Sequence, residues 1–378
     1  MRGNQVTLPN PDLEASWNTV QLTQANYAQA EQHFIQLLKV EDLDQNLDRC
    51  TERVIAFERV LDLAVSAAYQ STDCSNSARL FTQRILYRIN RLKLFWYDDL
   101  QNYCNERSVY LQNIRNQIES SWQQWETSQL PIQVLQNLNV DQALTDRAAE
   151  DLEPELSANG KYFQEEMQEV GYGRLLAIAS LDGLVEASQL SRTLGGVSNE
   201  IHSVLTRLLV EEYGAGRLSR KHSSYFTLML EELNLETEPE AYLDLVPWEV
   251  LATINHSFLL SECKRYFLRY VGGLLYTEIS VPAAFSVYSN AGQRLGLSKN
   301  ATGYWDLHIK VDKLHGRWML DEVALPLIDL YPNNAWELVF GYDQQKLMGD
   351  RAGAAVAALC READKAAHSN APSRQGVV

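Results

Sequence analysis

The chain has 378 residues, 46% of them hydrophobic, and its 49 acidic and 33 basic side chains give a formal net charge of −16. This length suffices for one large or two ordinary globular domains, and the acidic surplus argues against a nucleic-acid or anionic-membrane partner. No signal peptide is recognisable, and no stretch reaches the ~20 apolar residues of a membrane span, so we expect a cytoplasmic protein without membrane association. The five cysteines are scattered and form no CxxC pair, so we expect neither a disulfide framework nor a thiolate zinc site.

Helical periodicity dominates the first part of the chain, after a polar lead-in of about ten residues. Apolar residues repeat at three- and four-residue spacing over residues 22–38, 43–68, 77–110 and 111–125. Between residues 127 and 160 proline, asparagine and glycine become more frequent, which is typical of a connecting region. We therefore predict a helical N-terminal domain over residues 1–155, and we expect a homodimer surface within residues 12–125.

The second part of the chain is also helical in pattern. The predicted helices cover residues 171–194, 198–213, 219–233, 247–251, 258–281, 303–321, 323–330 and 335–367. Strand-type alternation of apolar and polar residues does not persist anywhere. The predicted fold class is all-α, with a second domain over residues 156–367 and a disordered tail over residues 368–378.

One predicted helix of this second domain carries metal-competent side chains on a narrow face. A helix turns about 100° per residue, so His308, Asp312 and His315, at positions i, i+4 and i+7, lie within roughly 60° of one another. This face borders an apolar stripe, where an unpaired carboxylate would lose much of its solvation free energy. A metal ion is the simplest positive group to expect opposite these three side chains.

Four further polar residues interrupt apolar helix faces and are candidates for the remaining ligands. Glu212 continues an apolar stripe, whereas its neighbour Glu211 is expected to point elsewhere. His222 heads the apolar face of the next helix, and Glu278 lies on the inner face of a later one. Glu186 has the weakest case, because the periodicity around it leaves its direction undecided.

Each of these residues also has a purely structural interpretation. A single inward glutamate is more often a salt-bridged acid than a ligand, and an isolated core histidine is usually just hydrogen-bonded. We expect His202, His256 and His368 to be surface or structural histidines. The set as a whole favours a metal, because so many buried charges are otherwise unpaired. Carboxylates with imidazoles suit iron or manganese better than structural zinc, and the ferritin-type ExxH pairs are missing. The residues alone thus indicate a carboxylate-bridged two-metal centre.

The second part of the sequence resembles the heme-oxygenase-like diiron oxidases, a family of iron-containing redox enzymes. In that family the first core helix supplies a Glu, a second Glu is followed ten residues later by a His, a further Glu comes next, and the last core helix carries HxxxDxxH. All seven positions are filled here, by Glu186, Glu212, His222, Glu278, His308, Asp312 and His315. The resemblance covers about residues 161–362 and implies a heme-oxygenase-like helical bundle in which these seven residues bind two irons.

The resemblance also implies an activity. Members use dioxygen as co-substrate, an external two-electron donor such as a ferredoxin, and a small-molecule substrate. The helical front part and the extra Glu212 resemble the N-oxygenating members, so N-oxygenation of an amino acid or amine in specialised metabolism is expected. The alternatives are a diiron desaturase or C–C cleaving oxidase (lyase or decarboxylase) acting on an amino acid or fatty acid, and a non-catalytic helical metal-binding protein. Nitrosourea-forming members carry a further cupin domain, and its nitrosation chemistry is not expected here.

Overall fold

The computed structural model describes residues 24–71, 75–94, 99–196 and 199–370 of the chain. None of these residues lies in a β-strand, which confirms the all-α prediction. In this described part, no helix combines the length and the apolar character needed to cross a bilayer. The predicted lead-in lies outside the described residues, as does the predicted tail from residue 371 onward, whereas residues 368–370 belong to the last helix.

The chain forms two compact units. One unit comprises Met1–Ile85 and Phe95–Trp122, and the other comprises Leu86–Leu94 and Gln123–Val378. The boundary that the sequence places near residue 155 falls inside the second unit.

Four long helices begin in the described part of the first unit. Their bounds are α1 (Gln24–Leu38), α2 (Thr51–Tyr69), α3 (Asn76–Arg91) and α4 (Val109–Ser128), with shorter helical turns at Leu43–Asn46, Leu47–Cys50 and Leu100–Tyr103. The rings of Phe34 and Phe57 stack with their centroids 4.9 Å apart in the buried core of this unit. Asp44 caps α4 by accepting hydrogen bonds from the backbone N–H groups of Val109 and Tyr110. The sequence predicts one helix over residues 77–110 and the next over residues 111–125. This division is wrong, because α3 ends at Arg91 and α4 begins at Val109.

Nine α-helices of six or more residues begin in the described part of the second unit. Their bounds are α5 (Val140–Leu152), α6 (Glu169–Gly183), α7 (Glu200–Glu212), α8 (His222–Glu232), α9 (Trp248–Glu262), α10 (Phe267–Arg294), α11 (Gly303–Arg317), α12 (Leu325–Leu330) and α13 (Trp336–Asn370). Four-residue α-helical turns lie at Ile132–Leu135 and Ala158–Lys161, and π-helical segments lie at Tyr162–Glu166 and Trp318–Ala324. Short 3₁₀ turns lie at Leu190–Arg192, Gly214–Gly216, Leu218–Arg220, Leu243–Leu245, Lys264–Tyr266 and Asn300–Thr302.

The region between residues 127 and 160 is largely helical rather than a connecting segment. Helix α5 lies within it, and its residues Leu144 and Ala148 belong to the same buried cluster as Val271 and Leu275 of α10. This packing is the reason that the region belongs to the second unit. Pro131 directly precedes the helical turn Ile132–Leu135, Pro154 follows the end of α5, and Gly160 lies within the turn Ala158–Lys161.

Helix α10 packs against both α11 and α13, and glycines let α10 and α13 approach closely. A Cβ atom built on Gly272 would lie 1.9 Å from the carbonyl oxygen of Leu338, and one on Gly341 would lie 2.0 Å from that of Arg269. Only glycine fits such a backbone contact. The helix predicted over residues 258–281 is divided at residues 263–266, and α10 continues through Pro282 to Arg294.

Candidate metal centre

The seven residues singled out in the sequence lie together in one buried cluster of the second unit. Five separate segments supply them. Glu186 lies in the turns after α6, Glu212 is the last residue of α7, His222 is the first residue of α8, Glu278 lies on α10, and His308, Asp312 and His315 lie on α11.

The cluster contains two groups of ligand-type atoms. In the first group, Oε2 of Glu212 lies 2.8 Å from Nδ1 of His222, and Oε1 of Glu186 lies 2.9 Å from Nε2 of His308. The same two ring nitrogens, Nδ1 of His222 and Nε2 of His308, are 3.0 Å apart. The four residues each offer one atom within 4.8 Å of the others, so they could hold one metal ion.

The second group gathers around Nδ1 of His315. This nitrogen lies 3.3 Å from Oε2 of Glu278, 3.4 Å from Oδ1 of Asp312 and 3.5 Å from Oε1 of Glu212. Glu212, Asp312 and His315 offer atoms within 4.8 Å of one another, so they could hold a second ion. Glu212 is common to both groups, and its two oxygens face different histidines.

Two glycines explain how these elements approach one another. Gly214 has a φ of 60°, and a Cβ there would lie 2.4 Å from the backbone of Arg220, so this glycine allows the tight return from Glu212 toward His222. Gly316 follows the last histidine of α11, and a Cβ there would lie 3.2 Å from the carbonyl oxygen of Glu278. The absence of a side chain at Gly316 lets α11 lie close to α10 at the cluster.

Glu186 reaches the cluster from an irregular segment rather than from a helix. The helix predicted over residues 171–194 ends at Gly183, and Ala187 has a φ of 61°. The helix thus ends before Glu186, which is why helical periodicity could not settle the direction of this side chain. The phenol of Tyr304 donates a hydrogen bond to Oε1 of Glu186 at 2.5 Å.

In His308 and His315, the ring nitrogen that faces away from the cluster (the outer nitrogen) has a hydrogen-bond partner. The ring nitrogen that faces the cluster (the inner nitrogen) is therefore left to bind a metal ion. Nδ1 of His308 donates to the backbone oxygen of Tyr304 at 2.8 Å, and Nε2 of His315 lies 3.0 Å from Oε2 of Glu211. A hydrogen on each outer nitrogen leaves the inner nitrogen as a lone-pair donor toward the cluster. The prediction that Glu211 points elsewhere is thus wrong in one respect: its side chain is 42% exposed, yet one oxygen holds His315. Helical periodicity separates core from surface and does not identify a residue at their border.

The chemistry of the cluster fits a metal centre. Oε2 of Glu186 is buried and has no hydrogen-bond partner among the described residues, and the buried atoms Oδ1 of Asp312 and Nδ1 of His315 have only the long contacts within the cluster. The four carboxylates of the cluster form no ion pair with a lysine or arginine in the described part of the chain. Buried acceptor atoms that converge without donors are costly unless a cation lies between them.

The pKa values reflect this crowding of charge. Burial, and then the negative charges of Glu186 and Glu278, hold the pKa of Glu212 well above its usual range. Burial and the nearby His308 lower the pKa of His222 to about 4. Burial also disfavours the charged form of His308, but Glu186 outweighs this effect and raises its pKa to about 10. Without a cation, protons must therefore be shared among these groups.

A cavity of about 300 Å³ adjoins the cluster within the second unit. The cluster residues on its wall are Glu186, Glu212, Glu278, His308 and Asp312. Apolar side chains, among them Leu260, Val281 and Phe285, form another part of the wall. A small organic molecule could thus lie directly beside the cluster.

Three histidines that we expected to be structural stay outside the cluster. His202 is half-buried on α7, and Nδ1 of His368 lies 2.8 Å from the backbone oxygen of Asp364. His256 is buried on α9, where Nδ1 lies 3.4 Å from Nε2 of Gln123, and it also lines the cavity.

The helical fold and the buried cluster of histidines and carboxylates suit a helical protein that binds metal, and a comparison with known families points in the same direction. Residues 174–346 match the model of a family described as iron-containing redox enzyme. All seven cluster residues lie in the matched stretch. This part of the chain is similar to that family of heme-oxygenase-like, iron-containing redox enzymes, and it holds the histidines and carboxylates that could bind a metal ion.

A comparison with curated proteins finds a relative in a bacterium. The nitrosourea synthase of Streptomyces achromogenes subsp. streptozoticus is 28% identical over 168 residues, which are 44% of this chain and 36% of that protein. The match thus spans about a third of the length of that relative.

Proposed function

We propose that the protein is an O2-dependent non-heme diiron oxidase in which the seven cluster residues bind two irons. The observation that carries this proposal is the position of Glu212, whose two oxygens face the two separate groups of ligand atoms. A carboxylate placed in this way suits a bridge between two metal ions. Charge supports the same stoichiometry, because two divalent ions balance the four carboxylates of the cluster.

In this proposal each iron has its own ligands besides the shared Glu212. Glu186, His222 and His308 would hold one iron, and Asp312, His315 and Glu278 would hold the other. When bound, the pair supplies the activation of dioxygen, with two electrons from an external donor such as a ferredoxin.

The remaining residues of the site position the ligands. Glu211 keeps the hydrogen of His315 on Nε2, and the backbone oxygen of Tyr304 keeps that of His308 on Nδ1, so both rings present a lone pair inward. The phenol of Tyr304 restrains Glu186. The side chains of Val281 and Phe285 would contact the apolar part of a substrate in the cavity.

Within this chemistry we favour N-oxygenation of an amino acid or amine. The similarity to a nitrosourea synthase supports this choice. Desaturation and C–C cleavage give different products from N-oxygenation, so the products distinguish these reactions. The reduced enzyme is mixed with O2 and candidate substrates, and the products are analysed by mass spectrometry. A product with one added oxygen atom supports N-oxygenation, whereas loss of two hydrogens or of a carbon fragment contradicts it.

An anaerobic titration with Fe(II) tests the metal centre itself. We expect saturation at about two irons per chain, in keeping with the two groups of ligands, and a transient visible absorption band after O2 is added. The variant Glu212→Ala should lose the ability to hold two irons, whereas Glu200→Gln, on the exposed start of the same helix, should bind like the wild type. No saturable binding, or an unchanged stoichiometry in Glu212→Ala, would refute the two-iron assignment.

The expected cytoplasmic location and the expected homodimer also belong to this proposal. Dimerisation through residues 12–125 is tested by analytical ultracentrifugation of the full chain. A monomer at micromolar concentration would exclude a stable dimer.

A further inference from the structure

Gly273 is a glycine in the interior of α10 that the packing of the helices does not require. A Cβ built on it would lie 3.5 Å from Cβ of Gln345 and 3.6 Å from the carbonyl oxygen of Gly341, which are ordinary contacts. The neighbouring Gly272 is different, because a Cβ there would collide with the backbone of α13. Glycine in a helix interior is less stable than alanine. Packing and helix stability therefore do not explain the glycine at position 273.

The cavity beside the metal cluster extends along α10 as far as this glycine. One stripe of α10 lines it, formed by Gly273, Leu274, Thr277, Glu278, Val281 and Phe285. An α-helix rises 1.5 Å per residue, so Gly273 lies about 7.5 Å along the axis from the ligand Glu278. An extended residue with its three backbone bonds spans about 3.3–3.6 Å, so a chain of about six or seven bonds covers this distance. We call the end of the cavity between Gly273 and Gln345 the distal end.

Polar but uncharged side chains surround the distal end. Helices α9 and α13 contribute the polar residues Thr253, His256, Ser257 and Gln345 to the cavity wall. Burial, and then the positive charge of Arg269, lower the pKa of His256 to about 3, so this ring is neutral at pH 7. Arg269 precedes Gly273 by about one helical turn, so His256 lies toward the same end of the cavity. Among the described cavity residues of α9 and α13, none is an acid, a lysine or an arginine.

Gln345 offers a hydrogen-bonding group at the distal end. Its side-chain oxygen would lie 3.7 Å from a Cβ on Gly273, so the amide borders the space that the glycine leaves open. This half-buried amide forms no hydrogen bond with another described residue. A primary amide both donates and accepts, so it can pair with a second amide or a urea through two hydrogen bonds.

We propose that Gly273 is a specificity-determining residue, whose missing side chain extends the cavity from the metal cluster to Gln345 and so admits an elongated substrate. The end of this substrate that lies away from the cluster carries an uncharged hydrogen-bonding group, such as an amide or a urea, which pairs with the amide of Gln345. This assignment rests on the proposed function, because it takes the cavity as the substrate site of the diiron oxidase.

Binding of linear probes to the Fe(II)-loaded full chain under argon tests the depth of the cavity. Each probe has a hydroxamate, whose oxygens bind iron, at one end and a primary amide at the other. The long probe is derived from pimelic acid, whose carbon chain matches the distance from Glu278 to Gly273, and the short probe from succinic acid. Isothermal titration calorimetry should show at least about tenfold tighter binding of the long probe, because it alone reaches Gln345. Equal affinities would overturn the inference.

Substitutions at the distal end assign the preference to its two residues. Gly273→Leu fills the distal end, so it should weaken binding of the long probe about tenfold and leave the short probe unchanged. The matched control is Gly353→Leu, at a glycine of α13 that does not line the cavity and has open space around it. Gln345→Met keeps a side chain of similar length without its hydrogen bonds. It should weaken the long probe about tenfold but not octanohydroxamic acid, which ends in an alkyl group. Unchanged binding of the long probe in either distal-end variant would overturn the inference.

The Fe(II) stoichiometry of each sample separates this inference from the proposed function. Two irons per chain with equal affinities for the long and short probes would refute the role of Gly273 and leave the oxidase proposal standing. Failure of the wild type to bind iron would refute both. If Gly273→Leu does not fold, Gln345→Met and the comparison of probes in the wild type still decide.

Discussion

The substitution Gly272→Ala should destabilise the second unit strongly. The new Cβ would lie 1.9 Å from the carbonyl oxygen of Leu338, so α10 and α13 would have to separate by about 1.4 Å to restore an ordinary carbon–oxygen contact of about 3.3 Å. The atoms in conflict belong to two backbones, and no side-chain rotation can relieve them. We expect a loss of about 3 kcal/mol in the free energy of unfolding, at the upper end of the usual cost of overpacking.

The neighbouring glycine provides a matched control on the same helix. A Cβ on Gly273 would lie 3.5 Å from Cβ of Gln345, which is an ordinary contact. Alanine is favoured over glycine in a helix interior by about 0.5–1 kcal/mol, so Gly273→Ala should leave stability unchanged or raise it. Urea unfolding of both variants, followed by circular dichroism, measures the difference. Equal stabilities of Gly272→Ala and Gly273→Ala would refute the close approach of the two helices.

Two further predictions concern the site and its pH dependence. Glu211→Gln should weaken iron binding about tenfold or more, because such outer partners orient metal-binding histidines, and an unchanged dissociation constant in the anaerobic titration would contradict this role. Burial, and then the positive charge of Arg269, lower the pKa of His256 to about 3, so the folded protein binds fewer protons at this residue than the unfolded chain. The contribution of His256 to stability is therefore complete above pH 6.5 and falls as the pH drops toward 3, with a slope of at most about 1.4 kcal/mol per pH unit. Between pH 7 and pH 5, His256→Gln should lose less stability than the wild type in urea unfolding, and equal losses would argue against a buried neutral histidine.

The sequence predicts the cluster well because helical periodicity reports burial. Glu212, Glu278 and the residues of α11 stand on faces that are otherwise apolar, and such polar interruptions are visible without a structure. Glu186 is different, since it lies beyond the end of α6 and its position depends on the positive φ of Ala187. No glycine or proline marks the turn at Ala187 in the sequence.

Other features depend on contacts between segments that are distant in the chain. The close approach at Gly272 needs Leu338 opposite it, and the role of Glu211 depends on the position of His315. Periodicity describes one helix at a time and says nothing about the neighbour. The same limit explains why the sequence does not reveal the packing of α5 against α10, and why the composition around α5 resembles that of a linker.

The tight connection between α7 and α8 affects the order in which the site assembles. Glu212 and His222 are only ten residues apart in the sequence, and closing such a short loop takes about 10–100 ns and costs little chain entropy. His308 and His315 are added only when α11 docks, and during synthesis they leave the ribosome later. We therefore expect Glu212 and His222 to approach each other before the residues of α11 complete the cluster.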